Sequence, residues 1–549
     1  MKTKTGGQIL VATLALHGVP RISCVAGESY LPVLDALYQH PTIQTITCRH
    51  EGEAAFMAES WGKLTGEAGV CMVTRGPGAT NAAIGVHTAM QDSTPLVLFV
   101  GQVSRADKGR ESFQEFDTAS AFTPWAKEAF DIVHVEDIAG AVTHALYIAQ
   151  SGRNGPVVVG LPEDILSEVC HFQEMTNPPP VFPLAHGKEF ADIITLLKSA
   201  KNPLIIAGGH GWHDETCSAL ERFTRHTHIP ILAAWRRHDL LSSRNPYFGG
   251  ELGMGANPAL VKAIQNECDL LLVIGARLDE CTVQGYSLLD IPTPRQTLIH
   301  LYPSTQEMGK VYTPTLGISC EINCTVEHLS SLACKTEWPE WQAWGQRINV
   351  LYQNWTALPA PQPWDGADMN TIVSHLNAVL PDDAIITSDA GNFSIWLRRF
   401  LKHGRPARML APTSGAMGYG APSACASALI HPKRTVLGFS GDGGFMMTGV
   451  HALATALQHN AKPVFIVCNN GLYGTIRMHQ DRTFPDRPHA THLRNPDFSA
   501  LAESYGALGL KVRSAKAFPS ALEGAMKADR ASVIEVMMDP RQLTPASTV

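Results

Sequence analysis

One stretch constrains this chain more than any other. From Ser440 to Tyr473 an apolar run, Thr435 to Phe439, ends in Gly441-Asp442-Gly443-Gly444, and a second, Val464 to Cys468, ends in Asn469-Asn470-Gly471. Between them lies a helix-compatible segment, roughly Gly449 to His459. The order strand, glycine turn, helix, strand, turn predicts a βαβ unit of a parallel sheet. Both turns fall at the carboxyl ends of strands, where open α/β sheets bind ligands. Glycines let a backbone come close to a phosphate and offer their N–H groups to it. Asp442 supplies a hard carboxylate oxygen and the paired asparagines an amide oxygen. That donor set suits Mg²⁺, with phosphate and water completing the shell. The expectation is a Mg²⁺-diphosphate site spanning two adjacent strand ends.

The rest of the composition narrows the setting. At 549 residues the chain has room for about three domains. Its net charge of −7, with no basic tract, gives no reason to expect a nucleic-acid partner. The 12 cysteines are scattered, most of them in apolar runs, and read as reduced core residues of a cytoplasmic protein. Cys320 and Cys324 have no nearby His or second pair to complete a metal site. The apolar run Ile9 to Leu16 is short and ends in His17-Gly18-Val19-Pro20, so it reads as a helix closed by glycine rather than a signal peptide. No run approaches the length of a membrane span.

Taken in order, the chain divides at two proline-rich stretches, Asn177 to Pro183 and Pro359 to Pro363. The expected fold class is α/β, with three consecutive doubly wound domains on parallel central sheets over residues 1–176, 189–336 and 364–549. In the first, strands are expected at Arg21–Ala26, Ile43–Cys48, Gly69–Thr74, Leu96–Val100 and Val157–Leu161. A helix is expected from Ala54 to Thr65, so that Glu51 stands at a strand end just before it. In the second, Pro203–Ala207, Pro230–Ala233, Asp269–Gly275 and Thr297–Leu301 read as strands. In the third, Ala384–Thr387 leads to Ser388-Asp389-Ala390-Gly391-Asn392, and Val533–Met538 is a late strand. Met446 and Met447 read as core packing.

GDG and NN, with 25 residues between them, resemble the cofactor motif of thiamine-diphosphate-dependent enzymes. His50-Glu51 before an alanine-rich helix, Gly76-Pro77-Gly78-Ala79-Thr80-Asn81, and Phe113-Gln114-Glu115 resemble, in the same order, the N-terminal domain of the acetolactate-synthase-type members. The resemblance implies a pyrimidine-binding, a middle and a diphosphate-binding domain, with thiamine diphosphate and Mg²⁺ as cofactors. It makes Glu51 the acid on the aminopyrimidine ring, with Asn81 close to the cofactor. Met417 becomes the wedge between the two rings, and Gly415 offers its carbonyl to the aminopyrimidine. Gly391, Asn392, Gly441, Gly443 and Gly444 hold the diphosphate, with Tyr473 beside it. Asp442, Asn470 and the carbonyl of Leu472 ligate the metal. Gln114 lies near the reacting carbonyl, and Gly27-Glu28 stand where the synthases have two glycines. Glu28 is either an extra acid in the pocket or a helix-start acid favoured by the dipole. The implied chemistry is cleavage or formation of the C–C bond beside the carbonyl of a 2-keto acid or hydroxyketone. The implied assembly is a homodimer or homotetramer with its sites between subunits.

The same resemblance exposes departures. The synthases carry a Trp shortly after NN and an Arg after a middle-domain strand; His479 and Cys281 stand there in this chain. The segment Asn469 to Arg477 is closer to benzoylformate decarboxylases, so a non-oxidative decarboxylase or a benzaldehyde-lyase-type enzyme is the alternative. In the middle domain the family carries FAD, ADP or nothing. Gly208-Gly209-His210-Gly211 and His300-Leu301-Tyr302-Pro303, without an acidic strand end, favour FAD less than its absence. Intact Glu51, Asp442 and Asn470 argue against an inactive scaffold. The lack of a well-placed G-x-G-x-x-G argues against a nicotinamide-dependent oxidoreductase.

Overall fold

Three parallel six-stranded sheets follow one another in the computed structural model, which describes residues 3–175, 183–545 and 547–548. The first contains β1 (Arg21–Cys24), β2 (Gln44–Thr47), β3 (Gly69–Val73), β4 (Leu96–Gln102), β5 (Glu128–Asp131) and β6 (Pro156–Pro162). Its spatial order is β2-β1-β3-β4-β6-β5, every pair parallel. The second contains β7 (Pro203–Ala207), β8 (Ile231–Ala233), β9 (Phe248–Glu251), β10 (Leu270–Ile274), β11 (Thr297–Tyr302) and β12 (Leu316–Ser319), in the order β9-β8-β7-β10-β11-β12. The third contains β13 (Ile385–Ser388), β14 (Arg408–Leu410), β15 (Val436–Gly441), β16 (Val464–Asn469), β17 (Leu508–Val512) and β18 (Ser532–Met537), in the order β14-β13-β15-β16-β18-β17.

The first and third sheets thus share one topology, and the middle sheet has another. In the outer two, the strand order reverses between the first and third strands of the unit. That reversal opens a crevice at the carboxyl ends of β1 and β3, and of β13 and β15. Fully buried strands such as β4 and β16 read as continuous apolar runs because helices cover both faces.

Several elements differ from the sequence expectation. Strands β5, β9, β12, β14 and β17 lie at or next to sheet edges, where short or mixed-polarity segments carry little periodic signal. The segment Gly76–Asp92 is a helix from its first glycine (α2), with Pro77 in its first turn, where a missing N–H costs nothing. Helix α1 begins at Glu51 and runs to Thr65, because the His50 ring accepts from Gly52 N at 3.0 Å and caps it early. Asp442–Gly444 is a helical turn rather than an open glycine loop, continued by a π-helical turn, Phe445–Gly449. On that turn Met446 and Met447 are 45% and 42% exposed, so they are not core residues of this chain. The linker Asn177 to Pro183 lies outside the described residues except for Pro183, whose carbonyl accepts from Glu321 N at 2.8 Å.

One apolar core joins the first and third units. Phe56 and Ala55 of α1 pack with Ala421, Ala424 and Cys425 of α4 (Gly420–Ile430). The Phe56 ring meets Tyr419 edge-on at 5.4 Å. Inside this apolar seam sits a buried charged knot. Lys63 pairs with Glu59 at 3.0 Å and with Asp92, and donates to the Tyr419 hydroxyl at 3.2 Å. Tyr419 OH donates to Glu59 at 2.7 Å, and Thr413 N donates to Asp92 at 2.7 Å. Burial opposes the Lys63 charge, but Asp92 and Glu59 outweigh it and hold the ammonium above its ordinary pKa.

Candidate active site

The third sheet brings three of its strand ends to one place. Asp389, one residue past β13, is fully buried; its Oδ1 accepts from Gly420 N at the start of α4, and its own N donates to Phe439 O of β15 at 3.0 Å. The N–H of Gly418 and the buried hydroxyl of Ser440 also face this carboxylate. Burial pushes the Asp389 carboxyl up to about 7, against the N–H groups of Gly420 and Gly418. A Cβ at Gly444 would lie 2.1 Å from Asp389 Oδ2, so only glycine lets the turn approach this carboxylate.

Asp442 opens that turn, 2% exposed. Its Oδ2 accepts from Gly471 N at 2.9 Å and from Asn495 Nδ2 at 2.6 Å, which ties the ends of β15 and β16 together. Burial raises its pKa while those donors oppose the rise. The two asparagines after β16 separate by role. Asn469 donates to the buried Glu535 at 2.8 Å and accepts from Asn495 at 3.0 Å, so its amide belongs to the sheet. Asn470 instead accepts from Leu472 N at 3.1 Å across the turn at Gly471, whose φ is +66°. Leu472 faces His492 in an antiparallel bridge whose bonds run from Tyr473 N to Thr491 O and from Leu493 N to Gly471 O. That alternation turns the N–H and C=O of Leu472 itself away from residues 491–493. Tyr473 covers the glycine turn: a Cβ at Gly443 would lie 2.5 Å from its ring.

Next to these stations, Gly391 accepts from Ser394 N at 3.1 Å, and Asn392 accepts from Thr475 Oγ1 at 2.9 Å. A Cβ on Gly441 would contact the Phe393 ring at 3.3 Å. The loop carrying Gly415 and Met417 is held from both sides. Ala390 N donates to Ala416 O at 3.2 Å, and Thr448 of the π turn donates to Gly418 O. Gly415 itself is exposed, with φ +74° and open space where a side chain would be. The structure therefore gathers Gly391, Asn392, Gly441, Asp442, Gly443, Gly444, Asn470, Leu472 and Tyr473 around the crevice between β13, β15 and β16.

Glu51 belongs to the other sheet. Its Oε2 accepts from Asn81 Nδ2 of α2 at 2.9 Å, and Gly78 leaves space beside its second oxygen. Two residues on, Glu53 is buried, accepts from Arg49 N at 3.0 Å, and is pushed up to about 7 by burial. Across the unit boundary the start of α1 meets α5 (Val450–Gln458). The His50 ring lies 5.3 Å from His451, and Thr47 N donates to His459 at 3.0 Å. Among the described residues, the hydrogen bonds recorded for Glu51 do not go to Gly415, Met417, Asp442 or Asn470 of the same chain. Glu28 pairs with the buried Arg75 at 3.2 Å, and Arg75 also pairs with Glu163. Gly27 packs on Thr74 so closely that a Cβ would lie 2.6 Å from it. Gln114 sits at φ +63°, its carbonyl accepting from Gly76 N at 3.0 Å, beside the exposed Phe113.

Sequence reasoning passed over Asn495, which lies in a loop without periodicity, and Asp389, which was visible as the residue after a strand but had no assigned task. The Lys63–Glu59–Asp92–Tyr419 knot gave no signal, since its members are spread over more than 350 positions.

Comparison with known proteins agrees with this arrangement. Residues 4–121 match the thiamine pyrophosphate enzyme N-terminal TPP binding domain, 190–329 the central domain, and 389–536 the C-terminal TPP binding domain. The large subunit of acetolactate synthase isozyme 2 from Escherichia coli is 30% identical over 539 residues, 97% of this chain and 95% of that protein. Acetolactate synthase from Bacillus subtilis is 30% identical over 543 residues, 97% and 93% of the two chains. A probable acetolactate synthase large subunit from Methanocaldococcus jannaschii is 28% identical over 555 residues, 98% and 93%. Three matching domains and a near full-length likeness to the synthases place this chain in the thiamine pyrophosphate enzyme family, as an acetolactate-synthase-like enzyme.

Proposed function

We propose that Mg²⁺ and thiamine diphosphate are held at the crevice of the third sheet and that the substrate is a 2-keto acid or a related hydroxyketone. The observation that carries this reading is the buried Asp442 at a glycine turn, tied to the Asn470–Leu472 turn of the next strand. The donor chemistry fits the group: one carboxylate, one amide oxygen and one backbone carbonyl from Asp442, Asn470 and Leu472 suit Mg²⁺. Gly391, Asn392, Gly441, Gly443 and Gly444 would take the diphosphate, Tyr473 would cover it, and Gly415 and Met417 would hold the aminopyrimidine and the angle between the rings. When bound, the cofactor supplies a nucleophilic thiazolium carbon for the keto carbonyl.

Glu51 would hold a proton at the aminopyrimidine ring nitrogen, oriented by its bond from Asn81. Gln114, Gly27 and Glu28 would border the reacting carbonyl. Exclusion of water around these groups favours loss of a carboxylate whose charge disperses as CO₂ leaves. The contacts of α1 with α5 in the same chain support a Glu51 that serves the crevice of a second copy, in a homodimer or homotetramer. The exposed Met446 and Met447, just past the diphosphate turn, support burial of that turn by the same partner. Twelve free cysteines, eight of them buried, support a reducing, cytoplasmic setting. FAD is not part of this reading.

The test is direct. Thiamine diphosphate with Mg²⁺ is expected to raise the melting temperature, and Glu51→Gln to keep that shift while losing proton exchange at the thiazolium carbon. Exchange at the wild-type rate in Glu51→Gln would sink the assignment. A turnover screen of 2-keto acids with product identification separates carboligation from simple decarboxylation.

A further inference from the structure

The loop that carries Gly415 and Met417 is fastened largely by another unit of the chain. It runs from the end of β14 to the start of α4, residues 411–419. Thr413 to Met417 form a partly exposed arc between two buried ends, Ala411 and Tyr419. Gly415 and Gly418 hold φ +74° and +81°. Glycines give such an arc much conformational freedom to lose, so its place over the crevice depends on how its ends are held.

Both ends meet α1 and α2 of the first unit. At the entry, Thr413 donates its N–H to Asp92 at 2.7 Å and its hydroxyl to the same oxygen. Lys63 donates to Ala411 O at 3.2 Å, and the hydroxyls of Thr88 and Ser414 bond at 3.1 Å. From the middle unit, Trp235 donates its indole N–H to Thr413 O at 3.4 Å, and Arg398 of α3 (Ser394–Phe400) lies 4.3 Å from the Trp235 ring. At the exit, the fully buried Tyr419 donates its hydroxyl to Glu59 at 2.7 Å and accepts from Ser60 at 3.2 Å. Lys63 also donates to that hydroxyl, with its ammonium 4.5 Å from the ring. One ammonium, paired with Asp92 and Glu59, thus stands between the two ends of the loop.

The seam around the knot does not need a charge to hold it. Phe56, Ala421 and Ala424 already pack the two units together through apolar contact. Buried ion pairs can often be replaced by apolar side chains of like volume without loss of stability. Apolar contact gives no direction, however, whereas charge-assisted hydrogen bonds are short and oriented. The two helices also make a firm base: a Cβ at Gly85 of α2 would lie 2.3 Å from that of Ala55 of α1.

We propose that Asp92 and Glu59 are positioning residues for the aminopyrimidine end of the cofactor. Acting through Thr413 and Tyr419, with Lys63 between them, they fix where Gly415 and Met417 stand over the crevice. The proposal rests on the cofactor reading above and extends it to residues of the first unit that act through the loop.

The test joins hydrogen–deuterium exchange of the full-length protein without cofactor to calorimetric titration with thiamine diphosphate and Mg²⁺. Tyr419→Phe and Asp92→Ala release one end each. Each is expected to speed exchange in residues 411–419 at least tenfold, to leave the turn at residues 470–472 at its wild-type rate, and to weaken thiamine diphosphate at least tenfold. Asp92→Asn, which keeps an oxygen for Thr413 N, is expected to recover part of both losses. Thr413→Val is the second route at the entry should Asp92→Ala fold poorly. Wild-type exchange of the loop in the variants overturns the proposal, as does a faster loop with unchanged cofactor affinity. Equal acceleration of the loop and of the turn at residues 470–472 also overturns it, since the knot would then be a general brace. Those three outcomes leave cofactor binding by the wild type, and so the reading of the crevice, standing. Failure of the wild type to bind thiamine diphosphate overturns that reading and this proposal with it.

Discussion

The first and third sheets have the same strand order and opposite fates at their crevices. In the third, glycine lets the turn after β15 come against Asp389 at the end of β13, and two buried carboxyls, Asp389 and Asp442, stand side by side at the strand ends. In the first, the ends of β1 and β3 close on each other. Gly27 packs on Thr74, Ser29 bonds to Thr74 at 2.9 Å, and Arg75 bridges Glu28 and Glu163. The carboxylate proposed above to serve the cofactor, Glu51, stands one strand away, after the end of β2. Topology offers a crevice, and the residues at the strand ends decide whether it opens.

The strongest way to break the relation between the two sheets is to cut the knot that joins them. Lys63→Met leaves Glu59 and Asp92 buried without their cation, next to the Tyr419 that leads into the Met417 loop. Removing one member of a buried ion pair costs about 3–5 kcal/mol. The expected result is a loss of that size in urea denaturation, together with weaker cofactor binding. A change under about 1 kcal/mol would mean that the apolar seam alone joins the units.

Asp442→Ala addresses the open crevice itself. A ligand at a hundred times its dissociation constant stabilises a protein by about 2.7 kcal/mol. That increment is expected in wild type with Mg²⁺ and thiamine diphosphate and is expected to vanish in Asp442→Ala. A full melting-temperature shift in the variant would remove Asp442 from the metal site.

Asp389→Asn sharpens the contrast through pH. The folded Asp389 carboxyl sits near 7, above its unfolded value, so the native state binds more protons than the unfolded state between about pH 4 and 7. Stability contributed by the protonated form is present at low pH and falls as pH rises through about 7. Carried through in full, the effect is at most about 4 kcal/mol. Asp389→Asn is therefore expected to be more stable than wild type at pH 8, with an advantage that shrinks toward pH 5. Melting curves at the two pH values check the sign, and an advantage that grows on acidification would contradict it.

The open crevice was largely legible in the sequence, and the closed one was not. Gly441-Asp442-Gly443-Gly444 and Asn469-Asn470 announce themselves because they interrupt apolar strands that are buried on both faces, where every polar residue needs a reason. The middle strands β7 and β10 were readable for the same cause. The edge strands β5 and β14 were not, since a half-exposed edge has no fixed pattern. Helical boundaries at Glu51 and Asp442 came earlier than expected because a histidine ring caps the first and the glycine turn at the second is itself helical. Pairings such as Asn495 with Asp442, or Lys63 with Asp92, depend on which loops the fold brings together, and local sequence carries no record of that.

Glu28 is where the two crevices can be told apart most finely. As an added acid in the pocket it would be needed for turnover; as a partner of Arg75 it is one of two carboxylates on a cation that keeps the other. Its side chain is 67% exposed, against 8% for Arg75, so the pair is screened on the glutamate side. An ion pair with one solvated partner contributes under about 1 kcal/mol, and Glu163 still holds Arg75 when Glu28 is gone. Glu28→Gln is therefore expected to leave the melting temperature nearly unchanged, with a smaller effect than any of the other substitutions. Activity discriminates between the roles. Unchanged turnover makes Glu28 part of the clasp that closes the first crevice, whereas a hundredfold fall with an unchanged melting temperature would give it proton-transfer work beside Glu51, as expected for general acid–base catalysis.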